Sequence, residues 1–483
     1  MLQRTNLIWL LGTLLLVRII AMVVVPLADT TEPRYAEIAR LMLTTNDWIT
    51  PWFEPDVPFW GKPPLSFWAQ ALSFKLFGIN EFAGRLPALL AFIATAWMLW
   101  RMAVSAVSAQ VAAATVVVYS SMLLTFLAAG TVMTDPYLAL GTTWAMVAFY
   151  LAPKENVWYW RYGVFIGLGI GLLAKGPLAI VIAGAPIGLW VLFQGKLMHY
   201  LRTMPWIRGT LLTLLIALPW YILAELKTPG FINYFIVGEH FMRFVDPGWM
   251  GDLYGHAHKE AKGMIWLHWL AGSTPWGPLA LLLLVGHMLT ASLRKTVWHA
   301  LKQPVVIYAL LWALVTPVFF TAAGNVIWTY VLPSMPAFAL LMGWAMVKLN
   351  NGQKWRKLGF IFVMWFMPIA GLIFSAFIAN NNNLMKTEKT IAEYVAQQPQ
   401  IGDNSNWSRL YYLAPKLEFS ARFYSHDKAK PVKMGQLENL VMQQQGVFLA
   451  VPTDQWETTV AHFGARLEPR IENMRFKLAF LKP

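Results

Sequence analysis

Long apolar stretches, most of them near the roughly 20 residues needed to cross a hydrocarbon layer, follow one another through the first 380 residues. They fall near Asn6–Val25, Phe82–Trp100, Val107–Leu127, Pro136–Leu151, Tyr162–Ala174, Pro177–Phe193, Ile207–Ala224, Met264–Leu289, Val305–Thr321, Trp328–Val347 and Leu358–Ala379, about eleven in all within a range of about 10–13. No water-soluble core absorbs that much apolar helix, so the expected fold is a polytopic all-α membrane domain. Composition agrees, with 57% hydrophobic residues, only 13% charged, and a mean hydropathy of +0.49. The first stretch does not read as a signal peptide, because it lacks an A-x-A site and a charged run follows it directly.

Orientation follows from the Lys/Arg bias of short loops. With the N-terminus cytoplasmic, the inner loops and helix ends hold Arg101, Lys154, Arg161, Lys196, Arg202 and Arg208 among others, and before residue 380 only Glu155 is acidic there. The net charge of +14 is then mainly topological and no sign of nucleic-acid binding. The chain has no cysteine, so its outer parts are held by packing alone.

Three regions depart from the helix traffic, which occupies residues 1–379. The first outer loop, 27–81, is too long for a plain connection, and Arg34–Leu43 and Pro64–Phe77 show helical apolar spacing suited to the membrane surface. A second long outer loop, 225–263, is rich in His, acids and Gly. The tail, 380–483, is polar and alternates strand-like runs (Leu410–Leu413, Ala421–Tyr424, Gly446–Val451, Phe476–Phe480) with helical ones (Thr387–Gln397, Leu437–Gln444, Trp456–Phe463). That alternation predicts a small α/β domain on the outer, periplasmic side. No GxGxxG or GKT/S loop is present, which argues against a cytosolic nucleotide site.

Charged side chains gather at the outer face. Asp29, Glu32, Arg34, Glu37 and Arg40 lie in one short run directly after the first stretch. Lys62, Arg85, Asp135 in Thr-Asp-Pro, Lys175 in Ala-Lys-Gly-Pro, and Glu239, His240 and Arg243 complete the set, with His256 and His258 close by in sequence. Ionisable groups are costly near lipid, so convergence on one membrane face favours a polar ligand there. A phosphorylated lipid donor fits. Its phosphate leaves without a general acid, provided Lys or Arg meets the charge in a water-poor site. A carboxylate then takes the acceptor's proton or orients the acceptor.

Each signal also has a plainer reading. Asp135 before Pro136 suits a helix N-cap, and Lys175 suits a turn with a snorkelling side chain. Arg18 has no assigned role, and His268 and His287 read as packed residues. His256-x-His258 supplies only two metal ligands, a weak pattern.

Together these segments resemble the C-type, polyprenyl-phosphate-sugar-dependent glycosyltransferases, especially the bacterial lipid A aminoarabinose transferases and the protein O-mannosyltransferase superfamily. The motifs carrying the resemblance are Thr31-Glu-Pro-Arg-Tyr-Ala-Glu-Ile38, Trp60-Gly-Lys-Pro63, Thr134-Asp-Pro136, Ala174-Lys-Gly176, Glu239-His-Phe-Met-Arg-Phe244 and Tyr330-Val-Leu-Pro333. The resemblance implies Asp29, Asp135 and Glu32 as catalytic carboxylates and Arg34, Lys62, Arg85, Lys175 and Arg243 as the grip on the donor phosphate. It implies Tyr35, Glu239, His240 and Tyr330 as substrate-binding. Two departures stand out: the family's motif Asp falls on Thr31, shifting the acid to Asp29, and the carboxylate before the loop Lys becomes Gly61. In the lipid A enzymes that carboxylate and the His of E-H go with a bound metal. No cofactor is therefore expected, with a divalent metal left open at His240, His256 and His258.

The expected function is transfer of a sugar from an undecaprenyl-phosphate-linked donor to lipid A or another envelope glycan, at the outer face of a bacterial inner membrane. A protein O-glycosyltransferase is the nearest alternative. A transporter or flippase for lipid-linked sugars would place its ionisable groups at mid-span, whereas here they sit in outer loops and at helix ends.

Overall fold

The computed structural model describes residues 4–246, 249–255, 259–288, 298–348, 354–399, 406–444 and 446–483. Helix α1 (Arg4–Val24) leads into the first loop, which holds α2 (Thr31–Thr45), a hairpin of β1 (Trp52–Glu54) and β2 (Val57–Pro58), and α3 (Leu65–Phe77). Both helices expected in that loop are present. Then come α4 (Glu81–Ala106), α5 (Ala109–Ser121), α6 (Leu123–Ala128), α7 (Asp135–Glu155), α8 (Trp158–Lys175), α9 (Leu178–Phe193), α10 (Leu197–Thr203) and α11 (Trp206–Lys227). Side chains cap two of the starts: Asn80 accepts from the Ala83 amide at the head of α4, and Ser108 from Val111 at the head of α5.

Each apolar stretch carries helix, but three are broken. Val107–Leu127 splits at Met122 into α5 and α6. Met264–Leu289 splits into Met264–Gly272 and Trp276–Met288, because Pro275 has no amide hydrogen with which to continue the ladder. Trp328–Val347 opens as a 3₁₀ helix, Trp328–Ser334, before the α-helix Met335–Lys348. By length and composition, five helices among the described residues are long and apolar enough to cross a membrane: Leu7–Val24, Glu81–Ala106, Trp206–Lys227, Trp328–Val347 and Ile361–Asn380.

Helices α7 and α8 approach to backbone contact. A Cβ on Gly141 would lie 2.7 Å from the Gly167 carbonyl oxygen, and one on Gly167 would lie 2.5 Å from that of Gly141. This closeness sets the first turn of α7 against the last turn of α8. After Lys175 the chain turns at Gly176, whose φ of +73° favours glycine and whose missing side chain leaves room for the Phe235 ring.

The tail forms a five-stranded sheet in the order β4 (Lys430–Val432), β3 (Leu410–Leu413), β5 (Val447–Pro452), β7 (Phe476–Leu481), β6 (Leu467–Glu472). Strand β3 pairs parallel with β4 and β5, while β7 pairs antiparallel with β5 and β6. Helices Lys389–Gln397, Leu437–Gln444 and Trp456–Phe463 match the sequence reading. One run is corrected: Ala421–Tyr424, read as a strand, lies in the helix Phe419–Tyr424. Its Phe423 joins the buried cluster of α2 and α3 beside Ile38 and Phe74, and this tertiary packing overrides the β-propensity of the aromatic residues.

Candidate active site

The segment after α11 coils as a π-helix, Asn233–Met242, a wide geometry that tends to mark functional sites. It presents Glu239 and His240, and Arg243 follows at once. These side chains meet Lys62 from the first loop, Lys175 from the end of α8 and Tyr330 from the 3₁₀ turn around a cavity of about 190 Å³. Phe244, Phe319 and Phe320 complete an apolar wall.

The charges are tightly wired. Glu239 accepts from Lys62 Nζ at 3.0 Å and from Arg243 Nη1 at 3.0 Å. Burial pushes the Glu239 carboxyl up, but Lys62 and Arg243 outweigh it and hold it at about 2. Lys62 also donates to the Gly61 carbonyl at 2.5 Å. Arg243 further pairs with Asp252 at 3.4 Å, yet its Nε is buried without a partner among the described residues. Lys175 donates to Asp135 at 2.7 Å, with both side chains over 90% buried, and its Nζ lies 5.0 Å from the centre of the Tyr330 ring. The structure departs from the plainer readings: Thr134, not Asp135, is the N-cap of α7, and the Lys175 side chain is buried against Asp135.

Asp135 stands behind Lys175 and does not itself line this cavity, and neither do the remaining expected site residues. Asp29 accepts from the Ser420 amide at 2.9 Å and from Arg475 at 2.6 Å, both in the C-terminal unit. Glu32 accepts from Arg85 at 2.7 Å and from the Val132 amide at 2.9 Å. Arg85 also donates to the carbonyls of Met22, Val25 and Pro26. Arg34 donates to the Tyr254 carbonyl, and Tyr35 is packed edge-on against Phe59 and Phe67. The charged run thus joins the first loop to its neighbours. Sequence reading missed Tyr234, whose hydroxyl donates to Glu239 at 3.4 Å, and Asp252; neither sits in a recognisable motif.

The metal that the resemblance brings with it does not fit the residues described. His240 Nδ1 faces the Phe235 carbonyl at 2.7 Å and Nε2 that of Lys175 at 2.9 Å, so each ring nitrogen already meets an oxygen of the backbone. Glu239 is taken by two cations. Gly61 offers no side chain, and a Cβ there would lie 2.9 Å from the Phe59 ring. Among the described residues no group of three metal-ligating side chains occurs, and His256 and His258 lie outside them.

Residues 61–223 match the dolichyl-phosphate-mannose-protein mannosyltransferase family. The undecaprenyl phosphate-alpha-4-amino-4-deoxy-L-arabinose arabinosyl transferase of Aeromonas hydrophila is 31% identical over 364 residues, covering 72% of this chain and 61% of that protein. The protein of the same name from Yersinia pestis strain Pestoides F is 30% identical over 344 residues, covering 68% and 56%. The chain therefore spans about six-tenths of the length of these relatives. The crystal structure of ArnT from Cupriavidus metallidurans bound to undecaprenyl phosphate superposes with a TM-score of 0.75 at 18% identity, over 99% of this chain and 98% of that one. The chain has the C-type glycosyltransferase fold. The resemblance carried by the motifs holds, in a multi-pass membrane protein built on this C-type frame with a C-terminal sheet unit docked on its first loop.

Proposed function

We propose that the protein is an integral membrane glycosyltransferase that moves a sugar from an undecaprenyl-phosphate-linked donor to a lipid A-type acceptor. The reaction takes place at the periplasmic face of a bacterial inner membrane, with the N-terminus cytoplasmic and residues 380–483 periplasmic. The carrying observation is the cavity lined by Lys62, Lys175 and Arg243, in which Arg243 keeps a buried, unpartnered Nε. A buried donor without an acceptor is costly, and a phosphate oxygen would satisfy it.

In this reading Lys62 and Arg243, oriented by an ionised Glu239, hold the donor phosphate and stabilise it as it leaves. Asp135 is the carboxylate that receives the acceptor's proton or orients the acceptor, and Lys175 positions it. The ring of Tyr330 covers Lys175 on the cavity side. Asp29, Glu32 and Arg85 act as structural anchors of the first loop. A lipid acceptor is taken over a protein one from the motif resemblance to the lipid A aminoarabinose transferases; the arabinosyl transferases align over 364 residues, whereas the protein mannosyltransferase match spans 61–223.

The test is transfer by purified protein from an undecaprenyl-phosphate-linked aminoarabinose to lipid A, paired with mass spectrometry of lipid A and envelope glycans from a deletion strain. Loss of a sugar from lipid A on deletion is expected. An unchanged envelope, with no transfer in vitro, would refute the reading.

A further inference from the structure

Helices α8 and α9 form a hairpin with the active cavity at its turn, where Lys175, Leu178 and Val181 contribute. The other end of the hairpin carries a separate groove of about 370 Å³. Val164 and Leu168 of α8, Gly184 and Gly188 of α9, Leu197 of α10 and Trp206 of α11 define it. Its lining is almost wholly apolar. Gly184 and Gly188 lie one helical turn apart on one face of α9, and a Cβ on either would meet nothing within 4 Å, so the glycines leave an open trough. Leu192, Phe193, Met198 and Ile207 beside it are exposed, as on a surface facing lipid.

The rim is cationic and unopposed. Lys196 precedes Leu197, Arg202 follows α10's Leu201, and Arg208 lies two residues beyond Trp206; all three are exposed, and none pairs with an acidic side chain among the described residues. Arg161 lies one turn before Val164 on the same face of α8 and donates to the neutral Asn156 side chain. Between Glu155 and Glu225 the sequence contains no acidic residue, and Glu155 itself is engaged by Arg101. An apolar trough beneath several uncompensated cations is complementary to one kind of membrane molecule, an anionic lipid with hydrocarbon chains.

We propose that this groove binds an anionic glycerophospholipid, with an acyl chain along Gly184 and Gly188 and its phosphate among Arg161, Lys196, Arg202 and Arg208. The site lies at the opposite end of the α8–α9 hairpin from the sugar-transfer cavity and is independent of it.

Native mass spectrometry of the delipidated full chain, titrated with phosphatidylglycerol or with phosphatidylcholine of the same acyl chains, tests this. Phosphatidylglycerol should give one tight adduct, with phosphatidylcholine about tenfold weaker. The double variant Arg202→Glu, Arg208→Glu should erase that preference. Gly188→Leu, whose Cβ would meet nothing within 4 Å and whose branch reaches into the apolar trough, should remove the adduct while thermal unfolding stays near wild type. Lys62→Ala, which alters the other cavity, should leave the adduct in place. Equal binding of the two lipids, an adduct that survives both groove variants, or one lost in Lys62→Ala would overturn the proposal.

Discussion

Arg475 Nη2 lies 2.6 Å from Asp29 Oδ2, joining the turn between β6 and β7 of the C-terminal sheet to the start of the first loop. The same guanidinium reaches Glu388 at 2.8 Å and Glu418 at 3.5 Å. Nearby, Lys389 donates to Glu81 at 2.6 Å and Tyr424 donates to the same carboxylate at 3.0 Å. The Asp29 carboxylate is thus taken up by contacts to the C-terminal unit, as an anchor of the first loop would be. Arg475→Ala leaves buried carboxylates unpaired and should destabilise the docked unit by about 3–5 kcal/mol, the usual effect of removing one partner of a buried pair. Asp29→Asn and Arg475→Ala should lower activity together and non-additively in a double-mutant cycle read by thermal unfolding and transfer rate. Loss of activity in Asp29→Asn at wild-type stability would make Asp29 a catalytic base instead.

Lys62→Ala removes a charge-assisted hydrogen bond to the donor phosphate, worth about 1.5–3 kcal/mol. Apparent donor affinity should fall roughly 10- to 150-fold, measured as KM for the lipid-linked sugar. An unchanged KM would place the phosphate outside the Lys62–Arg243 cavity.

Asp135→Asn keeps the shape of the side chain at the start of α7 and removes its charge. Transfer should fall by about 10²- to 10⁴-fold in kcat, the usual contribution of a general base, with little change in KM. Wild-type kcat in this variant, at normal membrane levels, would leave the site without its proposed carboxylate.

Burial pushes the Glu388 carboxyl up to about 7 against the pull of Arg475. Its folded value exceeds the ordinary 4.5, so the folded state holds a proton that the unfolded chain releases first. The stabilisation is complete below about pH 4.5 and fades as pH rises through about 7. Resistance of the C-terminal unit to limited proteolysis should thus decline between those values. Glu388→Gln should flatten the decline, and an identical pH profile in that variant would remove Glu388 as its source.

Chelation should spare the enzyme. Both His240 ring nitrogens lie within 2.9 Å of backbone carbonyl oxygens and Glu239 is held by two cations, so extensive EDTA treatment is expected to leave most transfer activity. Activity lost to EDTA and restored by a divalent ion would show that a metal is required.

The sequence by itself determined the helical membrane frame, the two helices of the first loop and the identity of the cavity's charged groups. These are local properties: apolar stretches of membrane-spanning length, and short motifs such as Ala174-Lys-Gly-Pro177 that hold a turn and a cation together. Only the tertiary structure decided their partners. Lys62 meets Glu239 across 177 positions, Lys175 meets Asp135 across 40, and Asp29 meets Arg475 across 446. No periodicity encodes such distances, so Asp29, acidic and beside the right motif, reads in sequence like a catalytic group. In the structure its carboxylate is held by Ser420 and Arg475, and the close glycine contact of α7 with α8 brings Asp135 to Lys175 beside the cavity.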